Sequence, residues 1–120
     1  MPSLSILLVD DEPLIRSSFR RVLRGHEVVE AATGVEALEL IADRRFDGIL
    51  CDLCMPGMDG VEFFHRLAER HPEQCARVVI MSGSPSSGQR HLPPEVQVLE
   101  KLLEPAVLQG VIRGWQQLSS

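Results

Sequence analysis

The 120-residue sequence predicts an α/β fold, a doubly wound sheet of five parallel strands with helices on both faces. Two observations carry this reading. Three short apolar runs are continuous rather than alternating, as strands covered on both faces require. Between them, apolar residues recur at helical spacing, bracketed by proline, glycine and capping residues.

The first strand is Ile6-Leu7-Leu8-Val9. A helix follows with Ile15, Phe19, Val22 and Leu23 on one face, Pro13 near its start and Gly25 as its stop. Glu27-Val28-Val29-Glu30-Ala31 is mixed in pattern and suits an edge strand. Thr33-Gly34 supplies the cap region of the next helix, whose stripe is Val35, Leu38, Ile41 and Ala42. Gly48-Ile49-Leu50-Cys51 is the third strand, after which Asp59 caps a helix carrying Phe64, Leu67 and Ala68. Val78-Val79-Ile80-Met81 and the weaker Val96-Gln97-Val98-Leu99 complete the sheet. The last helix has Pro105 near its first turn and presents Val107, Leu108, Val111, Ile112 and Trp115. The segment between Ser82 and Lys101 holds Pro85, Pro93, Pro94 and a Ser-Pro-Ser-Ser-Gly run. Proline inside a helix costs about 3 kcal/mol, so the fourth helix is expected to be short, irregular or missing.

A chain of this length is expected to form one domain, spanning 1–120. Its 44% hydrophobic and 24% charged residues are those of an ordinary globular protein. A net charge of −5 argues against a nucleic-acid or anionic-membrane surface. No apolar run approaches the roughly 18 residues of a membrane span, and Met1-Pro2-Ser3 lacks the basic start of a signal peptide. The expected setting is the reducing cytoplasm, where an odd set of three cysteines forms no disulfide framework.

Right-handed crossovers bring the carboxyl ends of all strands to one edge, where doubly wound sheets bind their ligands. Along that edge stand Asp10-Asp11, Asp52, Ser82 and Lys101. Three carboxylates brought together raise one another's pKa, a cost that a hard divalent cation such as Mg²⁺ removes. Lys101 offers a point charge to a phosphoryl oxygen, and Ser82 a hydrogen bond. Such a set suits the placing of a phosphoryl group on one of its own carboxylates. The Cys51-x-x-Cys54 pair that brackets Asp52 also fits a redox pair or half a zinc site. A redox pair usually opens a helix, whereas Cys51 ends an apolar strand and should be buried and inert. A zinc site needs a second pair, which Cys75 and the scattered His26, His65, His71 and His91 do not supply; these histidines read as surface residues. Glu12 reads as a solvated acid at a helix start, and Gly110-x-x-x-Gly114 as a place of close packing or of weakened helix.

The motifs LLVDDEP, CDLCMPGMDG, VVIMSG and LEKLLEP stand in that order, each at a predicted strand end. Together they resemble the receiver domain of two-component response regulators over essentially the whole length. The resemblance implies a flavodoxin-like sheet of order 2-1-3-4-5. It also implies that Asp52 is the phosphoacceptor, charged by the phosphohistidine of a histidine kinase or histidine phosphotransfer domain. Asp11, Asp52 and the backbone carbonyl of Cys54 would ligate Mg²⁺ (or Mn²⁺), with Asp10 acting through a metal-bound water. Ser82 and Lys101 would grip the phosphoryl oxygens. Such a domain catalyses only its own phosphorylation and dephosphorylation, and then switches its contacts with a downstream protein partner, without nucleic acid or membrane.

The sequence departs from the family in its last third. Leu102 follows Lys101 where a proline in a cis peptide is usual, and a cis bond there would cost about 3 kcal/mol. Val98 stands where an aromatic residue usually follows the hydroxyl residue's movement. With the shortened, proline-rich segment after Ser82, these changes lead us to expect a mobile 83–94 loop and a largely monomeric phosphorylated form. An alternative is a degenerate receiver that docks partners without phosphate. A phosphohydrolase of the haloacid dehalogenase type would need a second aspartate where Cys54 stands, and a cap domain for which 120 residues leave no room.

Overall fold

The computed structural model describes residues 3–83, 91–101 and 104–119. In chain order it contains β1 (Ser5–Val9), α1 (Pro13–Val22), β2 (Glu27–Ala31), α2 (Gly34–Asp43), β3 (Gly48–Asp52) and α3 (Gly60–Arg70). A 3-10 turn (Pro72–Arg77), β4 (Val78–Ser82), β5 (Gln97–Glu100) and α4 (Pro105–Ser119) follow. All strand pairs are parallel and the order is β2-β1-β3-β4-β5. The expected sheet, its strand order and its edge strand β2 are therefore present.

The continuous apolar runs are explained by the period of two along a strand. Leu7, Val9, Ile49, Cys51, Val78 and Ile80 face one layer, which includes Leu38, Ile41, Phe63, Phe64 and Leu67 from α2 and α3. Ile6, Leu8, Leu50, Val79 and Met81 face the other, with Phe19 of α1 and Leu108, Val111, Ile112 and Trp115 of α4. Each such side chain, fully buried, contributes roughly 1.5–3 kcal/mol, so the strand ends that carry polar residues are held by a rigid core. Gly48 opens β3 without a side chain because the Trp115 indole lies where a Cβ would stand.

Caps end and start the helices as the sequence implies. Thr33 accepts a hydrogen bond from the Glu36 amide at 3.1 Å, and Asp59 from the Glu62 amide at 2.8 Å. Gly25, at φ 98°, turns the chain after α1. Three helical stripes sit differently from expectation. Val35 and Val107 are 55% and 44% exposed, and Ala42 and Ala68 also face solvent. In α2 the inward positions are Gly34, Ala37, Leu38 and Ile41, and in α3 Phe63 joins Phe64 and Leu67. The α2 set, at i, i+3, i+4 and i+7, follows the 3.6-residue period more closely than the expected one. His26, expected on the surface, is half-buried, and its Nδ1 accepts the Leu4 amide hydrogen at 2.9 Å.

The expectation of a short or irregular fourth helix falls on residues 84–90, outside the described residues. So does the Lys101–Leu102 peptide. Leu92, on the far side of that segment, is buried in the α2–α3 layer beside the partly buried Val96 and Val98. The end of the 83–94 loop is thus anchored to the core.

Candidate functional site at the carboxyl edge of the sheet

Strand register sets the site. Val9 pairs with Cys51, Asp52 with Met81 and Ser82 with Glu100, so Asp10, Asp52, Ser82 and Lys101 fall in a staggered row across β1, β3, β4 and β5. The Lys101 amide donates to the Ser82 carbonyl at 2.8 Å, fixing the end of β5 against β4.

The segment after Asp52 is a loop in which each residue of the motif has a physical task. Met55 is buried in the core, and Gly57 takes a positive φ of 77° that a side chain would strain. Met58 lies against Gly34 of α2, where a Cβ would stand 2.7 Å from its sulfur. Asp59 caps α3. Gly60 brings the start of α3 onto the phosphoacceptor candidate's own backbone. A Cβ at Gly60 would stand 2.8 Å from both the Asp52 carbonyl oxygen and the Leu53 Cα. Because backbone must give way, Gly60→Ala is expected to cost about 1–3 kcal/mol of stability, read by urea unfolding. It should also slow any reaction at Asp52 though no reacting group is altered; wild-type stability and rate in this variant would refute the close approach.

The charged groups converge as the sequence suggests. Asp10 and Asp52 are 0% and 2% exposed, while Asp11 and Glu12 open to solvent, and one ligand oxygen of each lies within 4.8 Å of the others. Lys101 Nζ donates to Asp52 Oδ2 and to Glu12 Oε1, both at 2.8 Å, and stands 3.5 Å from Asp10 Oδ2. Burial disfavours the Lys101 charge, but its bonds to Asp52 and Glu12 and the nearby carboxylates outweigh this and raise its pKa. Asp52 Oδ1 accepts the Cys54 amide hydrogen at 3.3 Å. Asp10 Oδ1 accepts that of Glu12 at 2.9 Å, and Arg16 grips the Asp10 carbonyl at 2.6 Å. Ser82, 2% exposed, ends β4 beside Asp52.

Asp10 Oδ2 is buried and accepts no hydrogen bond among the described residues. Burial raises the Asp10 pKa; the Glu12 amide opposes this, and the Asp52 charge adds to it. A raised carboxyl pKa opposes folding above the folded-state value and is relieved as pH falls through it toward 3.8. Asp10→Asn is therefore expected to stabilise the metal-free protein at neutral pH. The gain over wild type should shrink as pH falls toward 3.8 in thermal unfolding, and a destabilised variant at neutral pH would contradict it. An orphaned carboxylate oxygen within a tight acidic group is the donor chemistry that a small divalent cation satisfies, so the residues fit Mg²⁺.

The cysteines stand apart from this chemistry. Cys51 is fully buried, and burial with the nearby Asp52 charge pushes its thiol well above the usual value. Cys54 is exposed and meets Asp52 through its amide, and Cys75 is half-buried. Glu12 stands at the start of α1 and open to solvent, as the sequence implies. It also pairs with Lys101, 89 residues away, a partner that no local pattern signals.

A family model described as the response regulator receiver domain matches residues 6–108. The chain belongs to the response regulator receiver family. The receiver is 42% identical over 88 residues to protein-glutamate methylesterase/protein-glutamine glutaminase 3 of Hahella chejuensis, covering 71% of this chain and 24% of that protein. It is 36% identical over 100 residues to the sensor kinase CckA of Brucella abortus, covering 79% of this chain and 10% of that protein. The receiver thus spans a quarter or less of these relatives' own length. Chemotaxis protein CheY4 of Vibrio cholerae shares the fold with a TM-score of 0.76 at 28% identity, over 93% of this chain and 98% of that one. No helix among the described residues is long and apolar enough to cross a membrane.

Proposed function

We propose that this receiver, acting as a single domain over 1–120, accepts a phosphoryl group on Asp52 from the phosphohistidine of a histidine kinase or histidine phosphotransfer domain. The observation that carries the reading is the position of Asp52, buried between the acidic group and the Lys101 ammonium. An Asp52 carboxylate oxygen forms the new bond to phosphorus as the donor's phosphorus–nitrogen bond breaks, and the electron pair of that bond leaves on the imidazole. Lys101 holds Asp52 Oδ2 before transfer and turns its remaining hydrogens to the phosphoryl oxygens afterwards. The Cys54 amide on Oδ1 fixes the plane of the carboxylate. Ser82, at the neighbouring strand end, is placed to donate its hydroxyl hydrogen to another phosphoryl oxygen.

Asp11, Asp52 and the Cys54 carbonyl would hold Mg²⁺, with Mn²⁺ as a substitute and Asp10 reaching it through water. When bound, the ion supplies positive charge against the incoming phosphoryl oxygens. The modified domain then changes its contacts with a downstream protein in the cytoplasm. Sequence similarity to a methylesterase and to a sensor kinase supports a role within such signalling proteins. Intact mass after incubation with acetyl phosphate tests the reading. One added phosphoryl group with Mg²⁺, and little or none with chelator, is expected; an unchanged mass in both would overturn it.

A further inference from the structure

We propose that Glu12 is a specificity-determining residue, one that disfavours highly charged phosphodonors through its charge at the mouth of the site. The inference rests on phosphorylation at Asp52.

Glu12 occupies the N-cap of α1, yet its side chain makes no capping hydrogen bond. The carboxylate is turned instead to Lys101 Nζ at 2.8 Å, the same distance at which that ammonium meets Asp52. Its side chain is 58% exposed, whereas Asp52 is 2% exposed and the Lys101 side chain 16%. Glu12 is therefore the outer partner of a shared cation. A donor approaching Asp52 meets this carboxylate together with the ammonium whose charge it partly cancels.

Two consequences differ in kind. Any effect of Glu12 on where Lys101 sits acts equally on every donor. Its Coulomb repulsion instead grows with the donor's charge. The ratio of rates for two donors of unequal charge isolates the second. Acetyl phosphate is a dianion at neutral pH, whereas phosphoramidate carries less net negative charge because its nitrogen is protonated. In both transfers an Asp52 oxygen bonds to phosphorus. The bond broken is phosphorus–oxygen in the first, releasing acetate, and phosphorus–nitrogen in the second, releasing ammonia.

The test compares wild type, Glu12→Gln and Glu12→Asp with both donors at saturating Mg²⁺, following phosphorylation by intact mass. Glu12→Gln is expected to raise the acetyl phosphate rate relative to the phosphoramidate rate by about five- to tenfold at low ionic strength. The effect should fade with added salt, and Glu12→Asp should keep the wild-type ratio. Because the ratio is internal to each variant, a changed folded fraction does not move it. Phosphorylation of all three proteins with an unchanged ratio in Glu12→Gln overturns the role of Glu12 and leaves Asp52 as acceptor. Failure of wild type to accept phosphate from either donor overturns both.

Discussion

Asp52→Asn is expected to abolish phosphorylation by acetyl phosphate, lowering the rate by at least about a hundredfold, because an amide oxygen is a far weaker nucleophile than a carboxylate. The alternatives are close by, and geometry separates them. Asp10 is buried at the end of β1 with one oxygen already bonded to a backbone amide. Asp11 and Glu12 lie on the solvent side of the group. Lys101 donates to one carboxylate oxygen of Asp52 at 2.8 Å while a backbone amide holds the other, whereas it stands 3.5 Å from Asp10. The variant should fold, since asparagine keeps an oxygen for the Cys54 amide and relieves the repulsion between Asp52 and the buried Asp10. Intact mass and thermal unfolding of the two proteins side by side check this. A mass gain equal to wild type in Asp52→Asn would move the acceptor to a neighbouring acid.

Asp11→Ala should weaken Mg²⁺ binding by about ten- to a hundredfold and slow phosphorylation while leaving Asp52 in place. Its carboxylate is an accessible negative charge beside two buried ones, so its loss would remove a proposed donor at little cost to the core. Cys54→Ala should change Mg²⁺ affinity less than about twofold, since the proposed donor is a backbone carbonyl and the thiol is a soft ligand poorly matched to Mg²⁺. Titration calorimetry on both variants measures the difference. A large loss in a folded Cys54→Ala would make the Cys51-x-x-Cys54 pair a metal site after all.

Much of this was legible in the sequence because it follows from local rules. Continuous apolar strands, the Thr33 and Asp59 caps and the acids at strand ends are set by residues near one another in the chain. Finer features depend on distant partners. Val35 was expected inside because it begins the apolar stripe of α2, but its neighbour Gly34 turns inward to meet Met58. Phe63 escaped notice because two adjacent phenylalanines both face the core, where a narrow stripe allows one. The Glu12–Lys101 pair and the orphaned oxygen of Asp10 arise only when β1 and β5 are laid on either side of β3 and β4. The motif Asp59-Gly60 was readable as a pattern, but its reason, a helix start pressed onto the Asp52 backbone, belongs to the tertiary structure.

Chemical location of the acyl phosphate tests the central claim most directly. Borohydride reduces an aspartyl phosphate to homoserine, which peptide mass spectrometry places in the chain. After transfer from a phosphohistidine donor in the presence of Mg²⁺, homoserine is expected at position 52 alone. Homoserine at Asp10 or Asp11, or a phosphorylated donor that never loses its label to this chain, would contradict the assignment.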